Sequence, residues 1–537
     1  MAGSWSKKLL MLVLPVLACS LVGFTLSAQA ANVQKGATVV NEITHDVSLP
    51  LRDMAKMVPV RQGKPHEIEM HGRPFIKQVG NGQDGAAQTI TLPEVSTIAG
   101  LNFDGQPTGS GADDVAPPDT EGAIGATQYV QWVNLEYNVY DKTTGSLVLG
   151  PIQGNAPWAG FTNHQCANNN SGDPIVLYDK AAQRWVFAQN VFSTPYTICI
   201  AVSTTSDATG TYNRYAFPVL PNSSTSFPDY PKWGVWSDAY YETYNVFANG
   251  ISQAGSEVCA ADRTNMLAGN AATIQCFNSG NQYFSLLPSD IDGNTAPPAG
   301  SPNYIISLGT TTTTLDLWQF HVDFVTPANS TFTGPTALTV PAYTLICSSG
   351  TNRSCIPQPS PGEHVDSLGG RLMYRNAYRN FGDHEALVVS HTVKPPAGST
   401  AVGSVRWYEI RTPMTPTLFQ SGTFANAKVS FWMPSIAMDK VGDIALGFSA
   451  SATILDPSVL YTGRVPSDPV GTMESPKIVI KGTGVQESTA NRWGDYSAMQ
   501  VDPTDDCTFW YTQEYIKSTG SFHWATRINS FKFNTCR

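Results

Sequence analysis

Charge is scarce in this chain: Asp, Glu, Lys and Arg make up only 14% of its 537 residues, and the acids outnumber the bases 42 to 32. No basic run exceeds two residues, so Lys and Arg are nowhere clustered as phosphate contacts require, and nucleic-acid binding is excluded first. Long apolar runs are missing after the first thirty residues, which excludes a helical membrane span in the remainder. The chain also has no Cys-x-x-Cys, no Cys/His spacing suited to zinc, no Gly-x-Ser-x-Gly elbow and no phosphate-binding loop, and no Gly-x-Gly-x-x-Gly follows a strand. What abounds is turn formers and aromatics, with 45 Gly, 37 Pro and 10% Phe, Trp and Tyr. That mixture describes a chain dense in short strands and too apolar to be disordered.

Lys7 and Lys8 precede an apolar run from Leu9 to Leu26, and Ala28-Gln29-Ala30 supplies the small residues of a cleavage site. Residues 1–30 read as a removed secretory signal. Pro15 and Gly23 interrupt the run and oppose a membrane anchor; Val16-Leu17-Ala18-Cys19 resembles a lipoprotein box, but another apolar stretch would be left behind it. The expected location is secreted or periplasmic, with no membrane contact after signal removal. Eight cysteines then remain, and nearest-neighbour pairing predicts the disulfides 166–199, 259–276, 347–355 and 507–536.

Residues 31–108 are irregular in pattern: an extension that is a propeptide, a wrapping arm or a spacer. From 109 to 537 the chain repeats a Pro/Asp/Gly turn, a short apolar strand, a polar turn and a second apolar strand. The phrase starts near residues 118, 173, 229, 297, 366, 433 and 493, about 60 residues apart. Three hairpins are legible: Ile175–Tyr178 into Arg184–Gln189, Arg371–Arg379 into His384–Val393, and Ser435–Met438 into Asp443–Phe448. Such a unit cannot bury both of its faces alone, whereas units stacked radially cover one another, so the predicted fold is all-β, a seven-bladed β-propeller. The last unit is too short for a full blade, so a strand from within Gln88–Leu101 is expected to complete it and close the ring.

The phrases Met433–Ser449 and Arg492–Trp510 resemble blades of secreted sialidase-like propellers. Asp502-Pro503-Thr504-Asp505-Asp506-Cys507-Thr508-Phe509-Trp510 is similar to the Asp-box turn of that superfamily, with Cys507 where Gly is usual. The resemblance implies a fold and an association with extracellular glycans, not a reaction. Sialidases use three arginines, a Tyr–Glu nucleophile pair and an Asp acid, which makes Arg375, Arg464, Arg492, Tyr496, Glu514 and Asp495 the positions to test.

Read from the repeat itself, Asp119, Asp173, Asp229, Asp366 and Asp495 begin innermost strands and would face one axial mouth. Carboxylates so placed need a cation such as Ca2+, an Arg, or raised pKa values; the alternative is that each Asp caps its own turn. Arg371, Arg375 and Arg379 share one strand face, with Tyr374 and Tyr378 on the other, and suit either a carboxylate clamp or structural ion pairs with acids such as Asp383 and Glu385. His364, beside Glu363, is the base candidate nearest the mouth, while His384 and His391 lie on opposite faces of another strand. Trp318, Trp407, Trp432, Trp493, Trp510 and Trp524 read as wedges between blades, and Trp132, Trp158 and Trp236 as candidate sugar platforms. The expectation is a monomeric, exported, glycan-active hydrolase or lyase acting on an extracellular polysaccharide at the axial mouth; the alternative is a non-catalytic propeller that binds glycan or protein there.

Overall fold

The computed structural model describes residues 1–3, 32–58, 66–67, 76–79, 83–108, 115–221, 223–347, 353–411, 415–487 and 491–537. Most of the expected signal peptide, residues 4–30 with Cys19, lies outside them. Seven antiparallel sheets follow in chain order around one axis, so the fold is a seven-bladed propeller. Blade 1 spans Thr120–Gln153, blade 2 Ile175–Pro218 and blade 3 Ser226–Asn278. Blade 4 runs to Thr339, blade 5 from Met373 to Phe424, blade 6 from Ser430 to Ile480 and blade 7 from Ala498 to Phe533.

The predicted hairpins are present as Ile175–Asp179 with Arg184–Val191, Met373–Asn380 with Glu385–Val393, and Ser430–Met438 with Ile444–Ala452. Blade 2 illustrates why. Ile175–Asp179 is buried along its whole length, as a short continuous apolar run between two neighbouring blades must be. Its turn is fixed where Asp179 accepts the Ala182 N–H at 3.0 Å, and Gln183 adopts φ 55°.

The repeat phrase at 297 is misplaced. The innermost segment of blade 4 comes earlier: Leu287 bridges Ile306, and Ser289–Asp292 then pairs in parallel with Met373–Asn380 of blade 5. Residues 297–302 only connect it to Asn303–Leu308. A backbone signature marks the starts better than sequence does. Asp119, Asp173, Tyr230, Ser285, Leu368 and Met433 all have φ between 43° and 57°, at the mouth end of six successive innermost segments. For Leu, Met and Tyr this region is costly, about 1–3 kcal/mol each, and it persists only where surrounding structure dictates it.

The extension at 31–108 contributes strands after all. Val33–Lys35, Thr38–Asn41 and Thr44–Val47 pair in turn with the outer strands of blades 4, 3 and 2. Lys77, Ala87 and Glu94 then bridge to Thr311, Thr423 and Ser475 of blades 4, 5 and 6. Finally Thr97–Asp104 pairs antiparallel with Trp524–Phe533, overlapping the closing strand expected within Gln88–Leu101. No such strand borders Leu147–Gln153, the outer strand of blade 1, among the described residues.

Aromatic side chains fill the seams. Tyr129 stacks on Trp510 between blades 1 and 7, Trp132 meets Phe187 edge-on between blades 1 and 2, and Tyr461 stacks on Phe531 between blades 6 and 7. Each large apolar side chain buried in this way stabilises the fold by roughly 2–3 kcal/mol. Trp132, Trp158 and Trp236 are fully buried, so they belong to this packing and offer no platform to a sugar. The four disulfides are 166–199, 259–276, 347–355 and 507–536, the pairing expected from proximity in sequence. Among the described residues no helix is long and apolar enough to cross a membrane.

Candidate functional site

Each innermost segment runs from the mouth of the ring to its opposite end, so residues at its start converge on the axis. Asp119, Asp173, Asp229 and Asp495, from blades 1, 2, 3 and 7, meet there. The Asp119 carboxylate accepts the Asp495 N–H at 2.7 Å, and Asp173 shares a hydrogen bond with Asp119. Asp119 thus ties two blades together rather than capping its own turn. Burial, reinforced by the charges of Asp495 and Asp173, pushes the Asp119 carboxyl well above its usual range. Burial raises Asp173 too, with Lys232 pulling against it. Burial and then the charge of Asp173 push Asp229 up to about 7, against the pull of Arg371. Asp229 is the one of the four that is partly exposed; the other three are buried.

Lys232, which sequence reasoning missed, sits below this ring. Its ammonium lies 3.7 Å from the centroid of Tyr230 and 3.9 Å from that of Tyr496, and it donates to the Pro231 carbonyl at 2.7 Å. Burial pulls it down to about 8, although Asp173, Asp119, Glu121 and Asp495 favour its charge. The available signal was a Lys three residues after Asp229, followed by the apolar run Trp233–Val235 in the same strand. Glu121, also missed, is fully buried, and neither of its carboxylate oxygens has a hydrogen-bond partner among the described residues. Burial holds it well above the usual range, with Lys232 and Arg375 opposing.

The arginines separate by height along the axis. Arg492 binds Asp495 at 2.7 Å, and Arg371 lies over the Tyr230 ring at 4.5 Å, both at the mouth. Arg353, missed from sequence, reaches Asp366 at 3.5 Å from just before the neighbouring strand Ser354–Ile356, and Asp366 also accepts the Leu368 N–H as a turn cap. Arg375 lies deeper, bound at 2.8 Å to both Asp290 and Asp292 and at 3.1 Å to the Met499 carbonyl. Arg379 reaches the far end, where it pairs with Asp506. Four residues of strand advance about 13 Å, so this row spans the ring's height and cannot grip one carboxylate. Its members tie blades together, through partners other than Asp383 and Glu385. Arg464 is also at the far end, donating to the Asp468 carbonyl at 3.0 Å, so the expected grouping of Arg375, Arg464 and Arg492 does not form. The arginines that do gather at the mouth are Arg353, Arg371 and Arg492.

Tyr496 donates to the Pro174 carbonyl at 3.0 Å, and Glu514 accepts the Gly494 N–H at 2.7 Å. They occupy separate niches, with no hydrogen bond between them to form a nucleophile pair. His364 is exposed on the loop before Asp366. His391 is buried against Tyr408 at 3.0 Å, and His384 pairs with Asp383 at 2.7 Å on the surface, so neither reaches the mouth. The Asp-box-like turn is also remote from it: Asp502 accepts from Thr504 and from Lys142 of blade 1 at 2.6 Å, a structural tie. Among the described residues no group of three or more His, Cys, Asp and Glu is placed to hold a metal ion. Lys232, Arg371 and Arg492 supply the positive charge that the acids need.

No family model and no curated protein matches the chain. Among solved structures, it is similar to a Hadza microbial sialidase at 11% identity, over 91% of this chain and 100% of that one, with a TM-score of 0.33. It is similar to an exo-β-1,3-galactanase from Clostridium thermocellum at 10% identity, over 78% and 82%, with a TM-score of 0.29. The WD40 domain of SCAP from fission yeast gives 9%, over 82% and 96%, with a TM-score of 0.31. Values this low assign no activity to the chain.

Proposed function

We propose that the protein is an exported, glycan-active enzyme that cleaves a glycosidic bond at the axial mouth. The observation that carries this reading is the unequal environment of the four converging aspartates. A glycosidase needs one carboxyl group protonated near neutral pH and another able to act as base or nucleophile across the scissile bond. Asp229, partly exposed and pushed up to about 7, suits the acid. Asp173, raised less than Asp119 and drawn toward its charged form by Lys232, suits the second role. Arg353, Arg371 and Arg492 around the same opening suit a sugar that carries a carboxylate. The four disulfides support an oxidising compartment.

A second reading, a propeller that binds glycan or protein at the mouth without chemistry, draws support from the burial of Asp119, which is 1% exposed. One experiment separates the two. Wild type and Asp229→Asn are incubated with neutral, uronic and sialylated polysaccharides, and released ends are quantified. The enzyme reading expects release that the substitution lowers about 10²–10⁴-fold, with saturated ends for a hydrolase and unsaturated ends for a lyase. Absence of release from folded wild type across the panel refutes it in favour of the binder.

A further inference from the structure

The strand directions place a second feature on the mouth face. The turn at 192–196 and the connecting residues 219–221 and 223–225 lie at the end of the ring where Asp173 and Asp229 begin their strands. Between them opens a surface cleft of about 380 Å³ lined by Thr194, Pro195, Tyr196, Val219, Ser223 and Ser224. Its lining is amphipathic: the half-buried Tyr196 ring with Pro195 and Val219, together with the hydroxyl side chains of Thr194, Ser223 and Ser224. A pyranose has the same division, with an apolar C–H face and a periphery of hydroxyls, and a rigid aromatic ring is the usual partner of such a face.

The cleft adjoins the strand that carries Asp229. Tyr196 meets Phe227 edge-on at 5.8 Å, and Phe192 packs on Phe227 at 5.1 Å. Phe227 stands two residues before Asp229 in the same strand, a step of about 7 Å. None of the tryptophans expected to stack on sugar can do so, since Trp132, Trp158 and Trp236 are fully buried. Among the described residues lining the cleft, Tyr196 is the aromatic, and it is half-buried like Phe192 and Phe227, which pack between it and the strand of Asp229.

We propose that this cleft is a second carbohydrate subsite, in which Tyr196 stacks a further pyranose unit of the polysaccharide whose neighbouring unit occupies the axial mouth. The inference rests on the glycan reading of the mouth and adds that the substrate is a chain, engaged along the seam between blades 2 and 3.

Affinity electrophoresis tests it without requiring turnover. Wild type, Tyr196→Ala and Tyr196→Phe are run through gels containing soluble galactan, polygalacturonate or polysialic acid. The expected result is retardation of wild type by at least one polymer. Tyr196→Ala should weaken that Kd about tenfold, the measure of one lost ring-stacking contact, and Tyr196→Phe should stay within about twofold. Equal retardation of wild type and Tyr196→Ala overturns the subsite, as does a wild type that no polymer retards. The two readings can fail separately. Product release with no effect of Tyr196→Ala on retardation keeps the mouth and removes the cleft; Tyr196-dependent retardation without product release keeps the cleft and removes the chemistry.

Discussion

Replacing Arg375 with Met distinguishes a structural tie from a substrate clamp, and its size follows from the contacts. Arg375 is 1% exposed and binds two carboxylates, Asp290 and Asp292, at 2.8 Å each, joining blades 4 and 5 at mid-height on the axis. Removing one partner of a buried ion pair costs about 3–5 kcal/mol because the other charge is stranded. A cooperative unit of roughly 400 residues has an unfolding entropy near 0.9 kcal/mol/K, so about 4 kcal/mol lowers Tm by about 4–5 °C. The deficit depends on pH. With Arg375 present, Asp292 is held far below the usual carboxylate range against the opposing effect of burial. Its favourable contribution is therefore present above about pH 4 and lost as pH falls further. Without Arg375 the Asp292 carboxyl keeps Lys180 at 2.7 Å but loses its largest counter-charge, so it rises from that low value and the stability it supplies above about pH 4 shrinks. The gap between wild type and variant should thus be widest above about pH 4 and narrow below it in calorimetric scans. Adding Asp290→Asn and Asp292→Asn should recover most of the loss. A Tm change below about 1 °C, a gap independent of pH, or a triple variant no more stable than Arg375→Met would refute the reasoning.

Other outcomes follow from the same contacts. Burial, reinforced by Asp443, pushes Asp439 up to about 8, so its contribution to stability is full below about pH 4 and falls as pH rises toward 8; Asp439→Asn should reduce the slope of the Tm–pH profile between pH 5 and 8, leaving the slope due to the other raised acids, Asp229 and Glu242 among them. Replacing Cys507 and Cys536 by Ser opens a 29-residue loop and should cost about 3–4 kcal/mol by denaturant unfolding, whereas the same change at 347 and 355, eight residues apart, should cost about 2–3. Protein lacking residues 1–49 exposes the outer edges of blades 2, 3 and 4 and should self-associate in light scattering, since unpaired strand edges recruit one another.

The fold was legible because its signals are local. Ile175–Tyr178 with Arg184–Gln189 carries apolar runs bounded by turn formers, and radial stacking is what such units require. Disulfide pairing was legible for the same reason, each bridge closing a short segment. The fourth start failed because Pro297-Pro298 carries turn chemistry, but in a connection rather than at the mouth. At the site, the aspartates that open innermost strands were found from the repeat phase alone. Arg375 and Arg464 were misassigned because sequence gives a residue's face but not its height along the axis. Lys232 and Glu121 went unnoticed because they lie inside innermost strands, past the turn that marks each repeat, and acquire meaning only when other blades place charges around them. Arg353 required knowing that Ser354–Ile356 pairs with Val365–Asp366.

The extension has a consequence for synthesis. A ribosome delivers Val33–Val47 and Thr97–Asp104 before any of their partners exist. The last of those partners, Trp524–Phe533, emerges more than 400 residues after the strand it must accept. Blades can form one by one as the chain lengthens, but blades 2, 3 and 4 stay without their outer strands until each partner is made and the early segment docks. Loop closure on this scale makes the final pairing slow relative to the hairpins. The chain therefore passes through a state in which blade 7 waits for two distant segments of one polypeptide to meet, and in that interval its unpaired strand edge needs shielding from other chains.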